Sequence, residues 1–294
     1  MMRHGPRMVV AAGVLWGTAA TAGTIALQAG VAAEPRSLAA ARLVIGGAAL
    51  ALVAGAAAWG VLRRHPVTIL LGAAAVAAYQ LCYFAAVART GVAVATVVAI
   101  GSGPVFTGLL SFLYDRVRPT RRWVLATGAA VAGSAVLIVG GDARVGGEVL
   151  SGVLLALGGG VLYAFYAVTA ARVIGWGSDS NAVMGAMFGG AAVFMAPLLL
   201  VFGASWLTGP AGLTVALYLG IATTALAYVL YGKGLRTTPV ASAATLALAE
   251  PAVAALLGFA VLNEPLTVMS ASGLALLGVG LVVVALPERA QSTV

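Results

Sequence analysis

The stretch from Arg236 to Thr267 repeats the layout of Arg89 to Thr120, and this internal echo narrows the possible folds more than any other feature. The later copy reads Arg236-Thr237-Thr238-Pro239, an apolar run interrupted by Glu250-Pro251, then Asn263-Glu264-Pro265-Leu266-Thr267. The earlier copy has Arg89-Thr90, a mid-run Gly103-Pro104, Phe112 and a Pro119-Thr120 exit. Arg236 follows Arg89 by 147 residues (236 − 89), Pro251 follows Pro104 and Phe259 follows Phe112 by the same step, and 147 is half of 294. Gly13-Val14-Leu15-Trp16 matches Gly160-Val161-Leu162-Tyr163 at that offset, and Ala126-Thr127-Gly128 through Gly133 matches Ala271-Ser272-Gly273 through Gly278 at 145. Unrelated apolar helices would not keep small residues and aromatics in register in this way. The expectation is one unit written twice, over residues 1–147 and 148–294, acting together.

Composition says where such a unit lives. The chain is 62% hydrophobic and 8% charged, with a mean hydropathy of +1.08, whereas a soluble domain carries roughly 25% charged residues. Runs of about 20 apolar residues, enough to cross a bilayer, fill nearly the whole length. The predicted class is an all-α integral membrane protein whose first partner is the lipid bilayer. The net charge of +8 does not point to nucleic acid, because the basic residues sit between apolar runs. The single cysteine, Cys82, forms no intrachain disulfide. Arginine outnumbers lysine fifteen to one and Ala and Gly abound, as in a GC-rich bacterial gene. The N-terminal apolar run resembles a signal peptide, but it has a counterpart in the second half and is expected to stay.

Ten spans are predicted, approximately 8–28, 37–62, 67–88, 92–113, 123–139, 150–172, 181–202, 213–235, 240–262 and 268–286. On the side holding both termini lie twelve basic residues: Arg3, Arg7, Arg63, Arg64, Arg116, Arg118, Arg121, Arg122, Arg172, Lys233, Arg236 and Arg289. The other side has three, Arg36, Arg89 and Arg144. Basic loops stay inside, so both termini are expected in the cytoplasm, with the chain multi-pass in a bacterial cytoplasmic (inner) membrane. Five spans per half is odd, so the second copy enters from the opposite side. Inverted repeats of this kind are typical of alternating-access transporters.

Several side chains stand out within the spans. Gly128, Gly133, Gly273 and Gly278 have the small-residue spacing of closely packed helices. Pro104 and Pro251 each remove a backbone donor, so the carbonyls of Ile100 and Ala247 are expected to lose their helical partners. With Gly101 and Gly103 they make candidate hinges, since broken backbone at membrane depth belongs in protein or beside a wet cavity. Glu250 is the one acidic residue near a span centre, and an intramembrane charge defaults to function. It reads as a proton carrier, a partner for a substrate amine, or a structural acid. Its counterpart in the first half is Gly103. Arg42 either snorkels to the outer surface or meets an anionic group.

Trp16, Tyr79, Tyr83, Tyr163, Tyr166, Tyr228 and Tyr231 lie deep in their spans, away from the interfaces where aromatic belts sit. Trp59, Trp123, Trp176 and Trp206 lie near span ends and read as anchors. The deep aromatics, with Gln80, Thr18, Ser102, Thr245 and Glu250, are predicted to line a central cavity that is apolar in area with a few polar contacts. No metal-ligand cluster and no phosphate-binding loop of the Walker type is present. The reading is therefore not an enzyme, and it implies no cofactor.

Two inverted five-span repeats, with Leu15-Trp16-Gly17, Arg42, Pro104-Val105-Phe106, Glu250-Pro251 and Asn263-Glu264-Pro265-Leu266, resemble the EamA-type carriers of the drug/metabolite transporter superfamily. Among them the chain is most similar to bacterial exporters of aromatic and other neutral amino acids. The resemblance implies a basket of helices in which spans one, three, four, six, eight and nine surround the cavity and five and ten lie outside. It also implies a small-molecule substrate. Small multidrug relatives use a glutamate in their first span, and this first span has no acid. The leading expectation is export of small metabolites, aromatic and neutral amino acids above all. A multidrug or sugar-conjugate carrier on the same fold is the alternative, and a non-transporting sensor or assembly partner is the alternative of another class. The sequence sets no oligomeric state; a monomer is compatible with it.

Overall fold

Prolines and glycines divide the chain where its hydropathy divides it. The computed structural model describes residues 4–116, 118–139 and 149–286, and the regular structure there is all helical. The first half holds α1 (Gly5–Gln28), α2 (Pro35–Ala54), α3 (Ala56–Arg64), α4 (Pro66–Thr90), α5 (Val92–Asp115) and α6 (Arg121–Val139). The second holds α7 (Val149–Gly175), α8 (Ser180–Phe202), α9 (Pro210–Leu217), α10 (Ala227–Leu235), α11 (Val240–Leu246), α12 (Ala249–Leu262) and α13 (Val268–Ala285). Turns of π width over Tyr218–Leu226 join α9 to α10 as one span, and α11 with α12 makes another. Among the described residues this gives 10 helices able to cross a membrane, at the ten expected places. Arg3, Arg144 and Arg289 of the charge count, and the boundary between the halves at 147 and 148, lie outside the described residues.

Local chemistry fixes the ends. Pro35, Pro66 and Pro210 open their helices in the first turn, where a missing N–H costs nothing. The Asp179 carboxylate caps α8 by accepting from the N–H groups of Asn181 (2.9 Å) and Ala182 (3.0 Å). Gly91 takes a φ of 82°, a left-handed conformation that suits glycine, and turns α4 directly into α5.

The halves are inverted, and the glycine contacts show it. A Cβ on Gly133 of α6 would fall 2.7 Å from the Gly273 carbonyl oxygen of α13, and one on Gly273 would fall 2.8 Å from that of Gly133. Further along, Gly280 meets Ala126 and Ala130, so residue numbers rise on one helix as they fall on the other. The repeat mates α2 and α8 behave alike: Gly185 lies against Leu50, Gly47 against Phe188, and the Ser37 hydroxyl donates to the Gly203 carbonyl. Counterpart helices thus pack antiparallel, as two copies threaded in opposite senses must. Gly128 and Gly278 have open space around them. Gly280, two residues on and therefore on another face of α13, makes the close approach that Gly278 was expected to make.

Three spans depart from the even pattern. The second is interrupted at Gly55 (φ 53°), which separates α2 from α3. The eighth carries the π-type segment. The prolines behave differently from one another: α5 runs unbroken through Pro104, whereas the ninth span breaks before Pro251. The break places Pro251 in the first turn of α12, where its ring is tolerated. The carbonyl of Ala247 is not orphaned, because it accepts from the Glu250 N–H at 3.0 Å, and Thr245 accepts from the Leu248 N–H at 3.0 Å. Tight i→i+3 turns therefore replace the bond that proline removes.

The outer surface is apolar, with Leu52, Leu200 and Val268 among its exposed side chains, as hydrocarbon requires. The α6–α13 pair stands at the edge, and the tenth span is the least buried of the ten. Trp59 and Trp176 are exposed near span ends. Trp123 and Trp206 instead pack inward: the Trp123 ring lies over Gly108, and the Trp206 indole N–H donates to the Ser37 hydroxyl at 2.8 Å.

Candidate functional site

The deep aromatics converge. α1 supplies Trp16, α4 Tyr79, α7 Tyr163 and Tyr166, and α10 Tyr228 and Tyr231. Their i,i+3 spacing puts each α7 and α10 pair on one helix face. Trp16 lies 5.1 Å from Tyr228 and 5.4 Å from Tyr231 between ring centres, and Tyr79 lies 6.2 Å from Tyr163 and 6.5 Å from Tyr166. The Tyr166 and Tyr228 hydroxyls are 3.0 Å apart and those of Tyr163 and Tyr231 3.4 Å apart, so α7 is tied to α10 twice. Phe188 of α8 backs the cluster, 3.8 Å from Tyr228 and 6.0 Å from Tyr166. Contacts of this kind are each worth about 0.5–1.5 kcal/mol beyond area burial.

This wall encloses a central cavity of about 60 Å³. Trp16, Tyr79, Tyr163, Tyr166 and Tyr228 face it, together with Ala99 and Ile100 of α5, Ala244 of α11, Ala247 in the break that follows it, Glu250 of α12 and Arg42 of α2. Spans one, three, four, six, eight and nine thus contribute as the resemblance implied, five and ten do not, and the second span adds an arginine. Arg42 does not snorkel outward. Gly46, one turn on and on the same face, is pressed against the Gly220 carbonyl of the π-type segment, which turns that face of α2 inward. Among the described residues the buried Arg42 Nε finds no hydrogen-bond partner, and neither Arg42 nor Glu250 is in an ion pair.

The other expected site residues lie nearby in different settings. Tyr231 is fully buried behind the wall. The Tyr83 hydroxyl pairs with that of Thr96 at 2.8 Å, one turn along α4 from Tyr79. The Thr18 hydroxyl donates to the Leu15 carbonyl and accepts from Tyr218, both at 2.7 Å. Thr245 pairs with Thr127 at 2.8 Å, tying the ninth span to the fifth. Ser102 bonds the Ala99 carbonyl at 3.3 Å and lies against Gly160. Gly101, Gly103, Pro104 and Pro251 are all buried beside these groups. Gln80 faces a second, larger cavity of about 600 Å³ between the starts of α2 and the ends of α4 and α8, with Arg36 and Phe202 at its rim. There the Arg36 guanidinium pairs with Glu34 and lies 5.1 Å over the Phe202 ring. At the other end of the bundle Asp115 and Arg172 pair at 3.5 Å, with Arg172 over Tyr114 and Trp176.

Inverted halves of matching sequence around a mid-membrane cavity narrow the identity, and comparison with known families decides it: the EamA-like transporter family matches residues 5–139 and 150–286. The chain belongs to that family. It is a membrane carrier and not an enzyme. It is 37% identical over 291 residues to the uncharacterized transporter YwfM of Bacillus subtilis (strain 168), covering 97% of this chain and 95% of that one. It is 28% identical over 229 residues to a probable terminal-alkyne amino-acid exporter of Streptantibioticus cattleyicolor, covering 76% and 74% of the two chains. A protein of known crystal structure shares the fold with a TM-score of 0.81 at 24% identity, over 97% of this chain and 98% of that one. Each half of this EamA-family carrier brings one charge to the cavity. The positions that match Arg42 and Glu250 at the repeat offset are Gly189 and Gly103, so neither charge is duplicated.

Proposed function

We propose that this carrier exports small metabolites, aromatic and other neutral amino acids above all, by alternating access. In this reading the halves 1–147 and 148–294 act as one transport unit in a bacterial inner membrane, with both termini in the cytoplasm. The observation that carries it is the aromatic-walled cavity at mid-bundle, built from both halves. A small chamber lined by aromatic rings and by polar groups in nearly equal measure suits an amphipathic passenger, and the resemblance to a probable amino-acid exporter points the same way. Trp16, Tyr79, Tyr163, Tyr166, Tyr228 and Glu250 contact the passenger. Gln80 and Tyr83 border its route toward the larger cavity. Tyr231, Thr18, Ser102 and Thr245 brace the wall. Gly101, Gly103, Pro104 and Pro251 supply the backbone that gives way between states.

Uptake of labelled phenylalanine, threonine or methionine by proteoliposomes containing the purified chain tests this. Uptake above empty vesicles for at least one is the expected result. No uptake of any of them, with resistance conferred to cationic drugs instead, would move the assignment to a multidrug carrier.

A further inference from the structure

We propose that Arg42 and Glu250 form a clamp for a zwitterion, Arg42 receiving its carboxylate and Glu250 its ammonium group, while its side chain lies among the tyrosines. This rests on the amino-acid reading above and adds the orientation of the substrate and the residues that set it.

The two side chains line one cavity yet do not pair. Opposite charges at membrane depth are costly apart, and a ligand carrying the complementary pair compensates both at once. Arg42 adds a second observation: its Nε is a buried donor with no hydrogen bond among the described residues. A guanidinium presents parallel N–H groups that match the two oxygens of a carboxylate. Among the described residues no other charged side chain lines the cavity, so the positive and negative poles are each defined by one residue. The repeat mates are glycines, Gly189 and Gly103, so a symmetric fold holds an asymmetric, singly charged pair that accepts one ligand in one orientation. A ligand of a single charge would meet only one of the two.

The test uses the full chain purified in detergent and reads thermal stabilisation by three probes. These are L-phenylalanine, its amide (no carboxylate) and N-acetyl-L-phenylalanine (no ammonium). Wild type is expected to favour phenylalanine over each analogue by roughly tenfold or more in concentration, as loss of a charged hydrogen bond dictates. R42Q is expected to erase the advantage over the amide and keep the advantage over the N-acetyl compound; E250Q is expected to do the reverse. R42K keeps the charge without the fork and should weaken phenylalanine several-fold while leaving the amide unchanged, which decides the matter if R42Q does not fold. Wild-type ranking in these variants, or equal loss of all three ligands, overturns the clamp while leaving amino-acid transport intact. Stabilisation by none of the probes in wild type, with no amino-acid uptake into proteoliposomes, overturns the amino-acid reading and the clamp with it.

Discussion

Gly133 of α6 and Gly273 of α13 press against each other's backbone carbonyls in a reciprocal contact between counterpart helices of the two halves. A Cβ on either would come within 2.4 Å of a backbone nitrogen, that of Leu277 or Leu137, and backbone cannot step aside as a side-chain tip can. Gly133→Leu or Gly273→Leu is therefore expected to force the pair apart and to destabilise by about 1–3 kcal/mol, the usual cost of overpacking. Gly128→Leu, facing open space, should be tolerated. Thermal unfolding in detergent compares the three.

Tyr79 lines the cavity and Tyr83 does not. Both substitutions to alanine are expected to impair transport with membrane insertion intact, Tyr79→Ala more severely. Proteoliposome flux normalised to inserted protein checks the order; wild-type flux in both would return the two tyrosines to a packing role.

The Tyr166–Tyr228 hydroxyl pair ties α7 to α10 at 3.0 Å. Tyr228→Phe keeps the ring against Trp16 and Phe188 and loses only that bond, a loss of about 1 kcal/mol. Tyr228→Ala also empties the space beside both rings and should cost about 3–5 kcal/mol. The gap between the two variants in thermal stability measures how far the cluster rests on packing.

Pro251 begins a new helix where Pro104 does not break an old one. Pro251→Ala restores a donor and should let α11 and α12 join, slowing transport without lowering stability. Pro104→Ala should have the smaller effect on flux. Turnover and melting temperature measured on both variants test the difference.

Labelling decides the threading. With Cys82 replaced, single cysteines at positions 89 and 236 are expected to react from opposite compartments with an impermeant maleimide. Reaction from the same side would contradict the inverted arrangement.

Much of this was written in the sequence because both fold and wall depend on linear spacing. The 147-residue offset marks the repeats, and the depth of the tyrosines within their spans marks Tyr79, Tyr163, Tyr166 and Tyr228 for the cavity, although Tyr231 lies behind its wall. Arg42 was harder. Its distance from the start of α2 gives depth, but its direction around the helix is set by what Gly46 and Gly47 touch, Gly220 and Phe188, far away in sequence. The glycine doublet was the available signal. Phe188 gave none, because the seventh span is uniformly apolar and no periodicity marks its inner face. The π-type turns of Tyr218–Leu226 were equally silent, being a product of tertiary fit.

The break before Pro251 has no twin in α5. In the proposed alternating-access cycle, in which the two halves exchange roles as the opening changes sides, matched features weigh equally on both forms and cancel. Any preference for one resting form over the other must come from what is unmatched, and the interrupted ninth span is one such difference in the backbone, beside the break at Gly55 and the π-type turns of the eighth span. In that cycle, the direction in which an empty carrier leans is a property of these few unmatched turns, those around Ala247 among them, and not of the packing that the halves hold in common.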